Sequence, residues 1–333
     1  MATRATALRF AILVPLVLLI VAATTLLGPP PLTGTESYSA DAAQFAFWHL
    51  RVPRCVLAAC AGAGLAVGGV IFQTLFRNPL AEPYTLGVAS GASLAAALGF
   101  LYGWRGDFAL GVPSLALVAF AGAALAMGVV YLMSRLRPGR DMARLLLAGV
   151  CVAYVCSAGI LLVFHLADKT ITSDTVVWMM GSLGAYRPRA GLEIAVVLVP
   201  VLAFATYSHR ALDLLHFGDD LAAARGVNVP LTVWGCYALV GVLTAAIVAN
   251  CGPIGFVGLM VPHIGRAIFG LRTLPLLLGA ALVGAAFLAV CDGIARSMPV
   301  TELPVGVVTN ILGAAFFLYL LATRDVAPAM AAR

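Results

Sequence analysis

The fold is decided by a polar segment that two prolines interrupt, Asn78-Pro79-Leu80-Ala81-Glu82-Pro83-Tyr84-Thr85-Leu86-Gly87. This first break separates two apolar stretches, residues 52–76 and 86–102. Prolines four residues apart remove two backbone donors and prevent a continuous helix. A second break follows in the other half of the chain, Gly252-Pro253-Ile254-Gly255-Phe256-Val257-Gly258-Leu259-Met260-Val261-Pro262-His263. Broken backbone survives inside a bilayer only against other protein or a water-filled cavity. An ordinary connecting loop needs no such counterpart, so the paired breaks predict a transport path.

Composition places the chain among membrane proteins. Of its 333 residues, 62% are hydrophobic and 10% are charged, with a mean hydropathy of +1.03, whereas soluble domains carry about 25% charged residues. We therefore predict an all-α polytopic membrane protein, and its short connections predict one transmembrane domain over residues 1–333. Because about 20 apolar residues cross a bilayer, we expect ten transmembrane helices. They are residues 10–27, 52–76, 86–102, 112–133, 145–166, 192–208, 231–250, 254–270, 274–295 and 303–322.

The basic residues predict the orientation. If the N-terminus is inside, thirteen of the 20 lysines and arginines fall in cytoplasmic segments, and such an excess marks the cytoplasmic side. Both termini are then cytoplasmic. The first apolar run is long for a signal peptide and lacks a small-x-small cleavage site, which favours a retained helix. The net charge of +6 is accordingly a topology signal and predicts no nucleic-acid partner.

Two dipeptides indicate an internal repeat. Val52-Pro53 opens the span that ends at the first break, and Val229-Pro230 opens the span that ends at the second. These spans run in opposite directions in the predicted topology. This predicts an inverted repeat of helices two to five and seven to ten. Glycine pairs four residues apart, such as Gly64 with Gly68, predict close packing between helices.

Common catalytic signatures are missing from the sequence. A phosphate-binding P-loop needs Gly-Lys-Ser/Thr, but the one lysine, Lys169, follows Asp168. Neither His-Glu-x-x-His nor Gly-x-Ser-x-Gly occurs, and the seven cysteines form no Cys-x-x-Cys. We expect no enzyme activity and no metal site in this chain. If ATP drives transport, another subunit must bind it.

A docking element for such a subunit lies in the longest polar loop, residues 208–229, which we predict to be a cytoplasmic coupling segment. Within it, Gly218-Asp219-Asp220-Leu221-Ala222-Ala223-Ala224-Arg225-Gly226 predicts a short capped helix. Asp219 suits the N-cap and Asp220 the positive helix end. Arg225 suits the last turn and Gly226 the left-handed position after it. The alternative is a surface helix that packs only on its own bundle.

Seven motifs in order carry a family resemblance. They are Arg51-Val52-Pro53-Arg54, Arg77-Asn78-Pro79-Leu80-Ala81-Glu82-Pro83, Arg144-Leu145-Leu146-Leu147-Ala148-Gly149-Val150, Trp178-Met179-Met180-Gly181-Ser182-Leu183-Gly184, residues 218–227, residues 252–266, and Glu302-Leu303-Pro304-Val305-Gly306-Val307-Val308-Thr309. Over residues 45–322 the chain resembles the permease subunits of ABC importers for iron-siderophore, haem and cobalamin, the FecCD or type II importer family.

The resemblance implies an assembly and a cargo. Two permease chains form a homodimer around a central path in the inner (plasma) membrane. Two ATPase subunits bind from the cytoplasm, and a periplasmic or lipoprotein binding protein docks outside. ATP and magnesium are held by the ATPase, so this chain needs no cofactor of its own. The Tyr84-Thr85 pair is similar to iron-siderophore permeases, which favours a ferric-siderophore over haem or cobalamin.

The resemblance also implies roles for single residues. The binding protein would dock on three arginines, Arg51, Arg54 and Arg296, of which Arg51 and Arg54 lie three residues apart at the solvent-exposed outer end of the second span. A cytoplasmic gate would be formed by Asn78, Leu80, Met142 and Ala143. Relatives carry small hydroxyl residues at the last two positions, so the polarity of this gate stays open. The coupling helix would fit the ATPase cleft through Asp219, Asp220, Ala223, Arg225 and Gly226.

Ionisable groups within apolar spans can also mark function. Asp292, His263 and Glu302 are the candidates for a proton relay in an ion-coupled secondary transporter, which is the alternative function. No span carries two carboxylates at helical spacing, and this disfavours a relay. Asp292 precedes Arg296 by four residues, which predicts a structural pair on one helix face.

Overall fold

The computed structural model describes residues 2–27, 44–104, 106, 113–135, 142–184, 187–298 and 302–323. Regular structure in this part of the chain is helical. A π-helical turn, Phe47–Arg51, precedes α2, and a 3₁₀ turn, Pro83–Leu86, precedes α3. The α-helices are α1 (Ala2–Leu26), α2 (Val52–Phe76), α3 (Val88–Leu101), α4 (Ser114–Arg135), α5 (Met142–Leu166), α6 (Lys169–Met179), α7 (Ala190–Tyr207), α8 (His209–Phe217), α9 (Asp219–Ala224), α10 (Val229–Cys251), α11 (Val257–Phe269), α12 (Thr273–Arg296) and α13 (Val305–Thr323).

Ten of the described helices correspond to the predicted spans. Eight are long and apolar enough to cross a membrane, and α3 and α11 are shorter apolar helices. These two have 14 and 13 residues, or about 20 Å of helix, against a hydrocarbon core of about 30 Å. They are the helices that follow the two breaks. The all-helical polytopic fold is therefore confirmed, while the inverted repeat and the orientation stay predictions.

Helix α2 forms the centre of the bundle. In its most apolar window 83% of the residues are buried, against 6% in the first span. Glycines allow its neighbours to approach closely, as small residues do between membrane helices. A Cβ added at Gly62 would lie 2.2 Å from the carbonyl oxygen of Gly284 on α12, and one at Gly69 would lie 1.8 Å from that of Gly258 on α11. The predicted pair of Gly64 and Gly68 is buried and faces α10.

The two ends of α2 define two ends of the molecule. Arg54, in its first turn, contacts Asp292 of α12. Arg77, which directly follows its last residue, contacts Asp219 of α9. We call these the Asp292 end and the Asp219 end, and they lie about 35 Å apart along the helix. The residues predicted to act outside and inside the cell are thus separated along one buried helix.

Candidate functional site

The two breaks contact each other inside the bundle. The backbone N–H of Ile254 donates to Tyr84 Oη at 3.3 Å, and the backbone N–H of Phe256 donates to the Glu82 carboxylate. Phe256 has a φ of 67°, in the left-handed region that side chains rarely adopt. The sequence predicted a break in each half. The structure shows that they meet.

The first break begins as a tight turn. Arg77 ends α2 in the left-handed conformation, with a φ of 48°. Asn78 Oδ1 accepts a hydrogen bond from the N–H of Leu80 at 2.9 Å, and Asn78 O accepts one from Ala81 at 3.1 Å. Asparagine side chains stabilise turns in this way. The Leu80 side chain is left 50% exposed, so this turn holds an apolar side chain at the surface of the described chain.

The second break packs against a turn that follows α6. The N–H of Ser182 donates to Cys251 O at 2.7 Å, and that of Gly306 donates to Gly181 O at 3.4 Å. A Cβ at Gly181 would lie 2.3 Å from the carbonyl oxygen of Pro253. Three backbone segments therefore cross where only glycine fits. We call residues 180–182, 251–254 and 304–306 the glycine junction.

At the Asp219 end, the predicted coupling helix is present as α9. Its C-terminus has the predicted form: Gly226 has a φ of 82°, its N–H donates to Ala223 O, and the N–H of Val227 donates to Ala222 O. These are the two bonds of a Schellman motif. Ala222 is buried, whereas Asp220, Ala223 and Arg225 are exposed.

The prediction that Asp219 is the N-cap of α9 is wrong. Gly218 occupies that position, with a φ of 136° and no side chain to cap the helix. Asp219 is the first helical residue, and its carboxylate accepts from the Arg77 guanidinium. A carboxylate in the first turn still interacts favourably with the helix dipole. Sequence reasoning missed Arg77 as a partner because the two residues lie far apart in the chain.

Helix α8 attaches this segment to the bundle. Leu212 and Leu215 are buried, and Asp213 Oδ1 accepts from the N–H and the hydroxyl of Thr273 at 2.8 and 2.6 Å. Phe217, at its end, is 75% exposed. An exposed aromatic residue beside a charged helix is typical of a surface that another protein covers.

At the Asp292 end, one buried carboxylate serves two arginines. Arg54 Nε donates to Asp292 Oδ1 at 3.0 Å, and its Nη1 donates to Glu302 Oε2 at 2.8 Å. Arg296 Nε lies 2.9 Å from Asp292 Oδ2, as the four-residue spacing predicts. Asp292 is fully buried, while Glu302 is 46% exposed. We call these four residues the Asp292 cluster.

Arg296, which the resemblance implies as a docking residue, lies in the interior of the described chain. Its side chain is 3% exposed, and its remaining donors reach Leu27 O at 2.8 Å and Thr24 O at 3.0 Å. Arg54 is 15% exposed and paired. The sequence placed arginines at this end correctly but did not reveal that a carboxylate within the same chain holds them inside. Of the three predicted docking residues, Arg51 is a half-buried member of the π-helical turn.

The remaining predicted gate positions are at the start of a helix. Met142 and Ala143 begin α5, and their side chains lie outside the part of the chain that the structure describes. No group of three potential metal ligands occurs among the described residues. His263 instead makes an edge-on ring contact with Phe316, at a centroid distance of 5.7 Å.

These features together define a polytopic membrane transport protein: a helical bundle whose central helix lies beside two broken spans, with charged contacts at both ends. The family model described as the FecCD transport family matches residues 9–323. The chain belongs to this family, and its role is that of a transporter permease subunit.

Several relatives in the family carry names that specify a cargo. The chain is 37% identical over 281 residues to the hemin transport system permease protein HmuU of Yersinia pestis, covering 83% of this chain and 84% of the relative. It is 39% identical to the vitamin B12 import system permease protein BtuC of Serratia proteamaculans, covering 86% and 84%. Identity is also 39% to the Fe(3+) dicitrate transport system permease protein FecD of Escherichia coli, covering 83% and 85%.

The fold has a close counterpart among solved structures. An ABC transporter of metal-chelate type, in an inward-facing conformation, superposes with a TM-score of 0.82 at 29% identity. The match covers 94% of this chain and 99% of the other. The membrane-embedded architecture of this chain is therefore that of an ABC importer permease.

Proposed function

We propose that this chain is the membrane-spanning permease subunit of an ATP-binding cassette importer that brings a ferric-siderophore into the cytoplasm. The observation that carries the ATP-driven proposal is α9, an exposed helix with a complete C-terminal cap that stands beside the exposed Phe217. Such a helix keeps its shape when another protein covers it. Two ATPase subunits, which hold ATP and magnesium, would bind there through Asp219, Asp220, Ala223, Arg225 and Gly226.

The first break is the proposed inner gate. Its turn presents Leu80 beside Asn78, and a second copy of the chain in a homodimer would bring two such turns together around a central path. Apolar side chains in a constriction can close it by excluding water. Met142 and Ala143 at the start of α5 would belong to the same constriction. Both termini would face the cytoplasm, with the Asp219 end inside.

The Asp292 end is the proposed face for a periplasmic or lipoprotein binding protein. Arg54 and Arg296 are both ion-paired with Asp292, whereas Arg51 is a half-buried member of the π-helical turn at this end. Rim charges mainly steer association and set its rate. We therefore propose Arg51 as the main docking arginine, with Arg54 contributing at its edge, and we assign Arg296 to the interior.

The Asp292 cluster speaks against the alternative, an ion-coupled secondary transporter. A proton relay needs a carboxylate that can exchange its proton during transport. Asp292 is fully buried and forms ion pairs with Arg54 and Arg296, so its carboxylate is already engaged within the chain. Transport driven by ATP on a partner subunit requires no such exchange.

The choice of cargo rests on the family and on the Tyr84-Thr85 pair. Relatives with similar identity are named for haem, vitamin B12 and ferric citrate, so identity alone does not choose among them. All three are bulky chelates. We propose the ferric-siderophore for this chain and make haem and vitamin B12 the competing outcomes of the experiment.

The test is ATP hydrolysis in proteoliposomes that contain this chain with its cognate ATPase and binding protein. Ferrioxamine B, haemin and cyanocobalamin are compared, with an Arg51→Glu variant alongside. We expect stimulation by ferrioxamine B above the other two, and weaker stimulation in the variant. Uptake that follows an imposed proton gradient without any ATPase would overturn the proposal. Stimulation by haemin or cyanocobalamin alone would overturn the choice of cargo.

A further inference from the structure

Arg77 occupies an unusual position. It follows the last residue of the central helix and precedes the first break, with a φ of 48°. Left-handed backbone is rare for residues other than glycine, asparagine and aspartate. The backbone at this point therefore gives no reason for an arginine. The reason must lie in its side chain.

That side chain reaches two different helices of the coupling segment. Nε donates to the carbonyl oxygen of Leu215 on α8 at 3.0 Å, and Nη2 donates to Asp219 Oδ1 at the start of α9. The side chains of Arg77 and Asp219 are 43% and 32% exposed. An ion pair this exposed adds little to stability. Its geometry, however, holds α8, α9 and the end of α2 at one point.

The same residue is continuous with the proposed gate. The N–H of Arg77 donates to Thr74 O at 3.3 Å, and the Asn78 side chain closes the following turn onto Leu80. Residues 77–81 thus form one short, internally bonded unit. A shift of Asp219 is passed to this unit through the guanidinium, three residues before the exposed Leu80 side chain.

We propose that Arg77 is the positioning residue that couples α9 to the inner gate, so that movement imposed on α9 displaces Leu80. This rests on the proposed function, in which an ATPase moves α9. Along the chain, α9 is followed by α10, and the second break follows the C-terminal end of α10. Arg77 is the contact that reaches the first break directly.

The experiment is a double-mutant cycle in the reconstituted transporter with Arg77→Gln, Asp219→Asn and both together. Arg210→Gln is the matched control, because it makes the same substitution at an exposed arginine of α8 that is none of the proposed ATPase-binding residues. Two quantities are measured in the same vesicles: the rate of ATP hydrolysis, and the ATP consumed per chelate imported. Uptake of ferrioxamine B, haemin and cyanocobalamin is assayed in parallel.

We expect ATPase binding and hydrolysis to persist in Arg77→Gln. The ATP consumed per chelate should rise by roughly fivefold or more in both single variants, the usual size of coupling between two sites. The double variant should equal either single variant, because one contact is lost in each. Arg210→Gln should match the wild type. Arg77→Lys keeps the charge but loses the planar guanidinium, so its ATP consumption per chelate should lie between those of the wild type and Arg77→Gln. This variant replaces Arg77→Gln if Arg77→Gln does not fold.

Wild-type stoichiometry in Arg77→Gln or Arg77→Lys, or additive effects in the double variant, would overturn the inference and leave the proposed function standing. A wild-type chain that neither binds nor stimulates the ATPase would overturn the proposed function and this inference with it. A purely structural role would lower the amount of folded transporter without changing the ATP consumed per chelate.

Discussion

Replacing Asp292 with asparagine tests whether the arginines at the Asp292 end belong to the interior or to a partner. The substitution keeps the shape of the side chain and removes its charge. Arg54 Nε and Arg296 Nε lie 3.0 and 2.9 Å from the two carboxylate oxygens, so both lose their shared counter-charge. We expect the isolated chain to be strongly destabilised.

The structure sets the size of the effect. Removing one partner of a buried ion pair costs about 3–5 kcal/mol, because a buried charge is left uncompensated. Arg296 is 3% exposed and has no other carboxylate in the cluster, whereas Arg54 is 15% exposed and keeps Glu302. Arg296 thus loses its counter-charge completely while Arg54 does not, which favours the lower end of this range, a destabilisation of about 3 kcal/mol. That corresponds to a rise of about a hundredfold in the ratio of unfolded to folded protein.

The assay is reversible unfolding by sodium dodecyl sulfate in mixed micelles, followed by tryptophan fluorescence. Glu302→Gln is the matched control, because it removes the other carboxylate of Arg54 from a side chain that is 46% exposed. An exposed pair is worth about 0–1 kcal/mol. If Asp292→Asn lies within about 1 kcal/mol of the wild type, the cluster does not stabilise the chain. The arginines would then be available to a partner, as the sequence predicted.

Three further predictions use the same unfolding assay or a pull-down. Gly181→Ala should destabilise the chain by about 1–3 kcal/mol more than Gly103→Ala. Both glycines have a φ of 72°, but only at Gly181 would an added Cβ lie 2.3 Å from a backbone atom. Equal effects would contradict the close backbone packing of the glycine junction. Gly62→Ala should lower stability by about 1–3 kcal/mol, while Gly128→Ala, with nothing within 4 Å of its added Cβ, should not. Phe217→Ser should weaken recovery of the ATPase in a pull-down without altering the stability of the isolated chain, and unchanged recovery would place the ATPase elsewhere.

The helical bundle could be predicted because the bilayer imposes it. Apolar stretches of about 20 residues must become helices where no water can satisfy the backbone, so composition and run length located the ten spans. The breaks were visible because proline and glycine act locally, through a missing donor or a permitted left-handed φ. The C-terminal cap of α9 was predicted for the same reason, since Gly226 lies next to the bonds that it completes.

Side-chain partners were predictable only within one helix. The Asp292–Arg296 pair follows from a four-residue spacing, but the Arg54–Asp292 and Arg77–Asp219 contacts join residues 238 and 142 positions apart. Without those partners, a buried arginine and an exposed arginine look the same in a sequence. The interior position of Arg296 and the error about the N-cap of α9 both have this origin. Helix α6 was missed because its polar residues carry no membrane signal.

The two sets of charged contacts differ in a way that matters for transport. The Asp292 cluster joins α2 to α12 through a buried carboxylate, so parting these helices would expose uncompensated charge at a cost of several kcal/mol. The Arg77–Asp219 pair is partly exposed, and breaking or shifting it costs about 1 kcal/mol or less. Helix α2 is held at the Asp292 end by the Asp292 cluster and along its length by close glycine contacts. Movement of its neighbours therefore costs least free energy at the Asp219 end. Segments without regular hydrogen bonding deform more easily than helices, and the first break begins at that end. The location of the flexible backbone and the strength of the charged contacts therefore favour the same site for the inner gate.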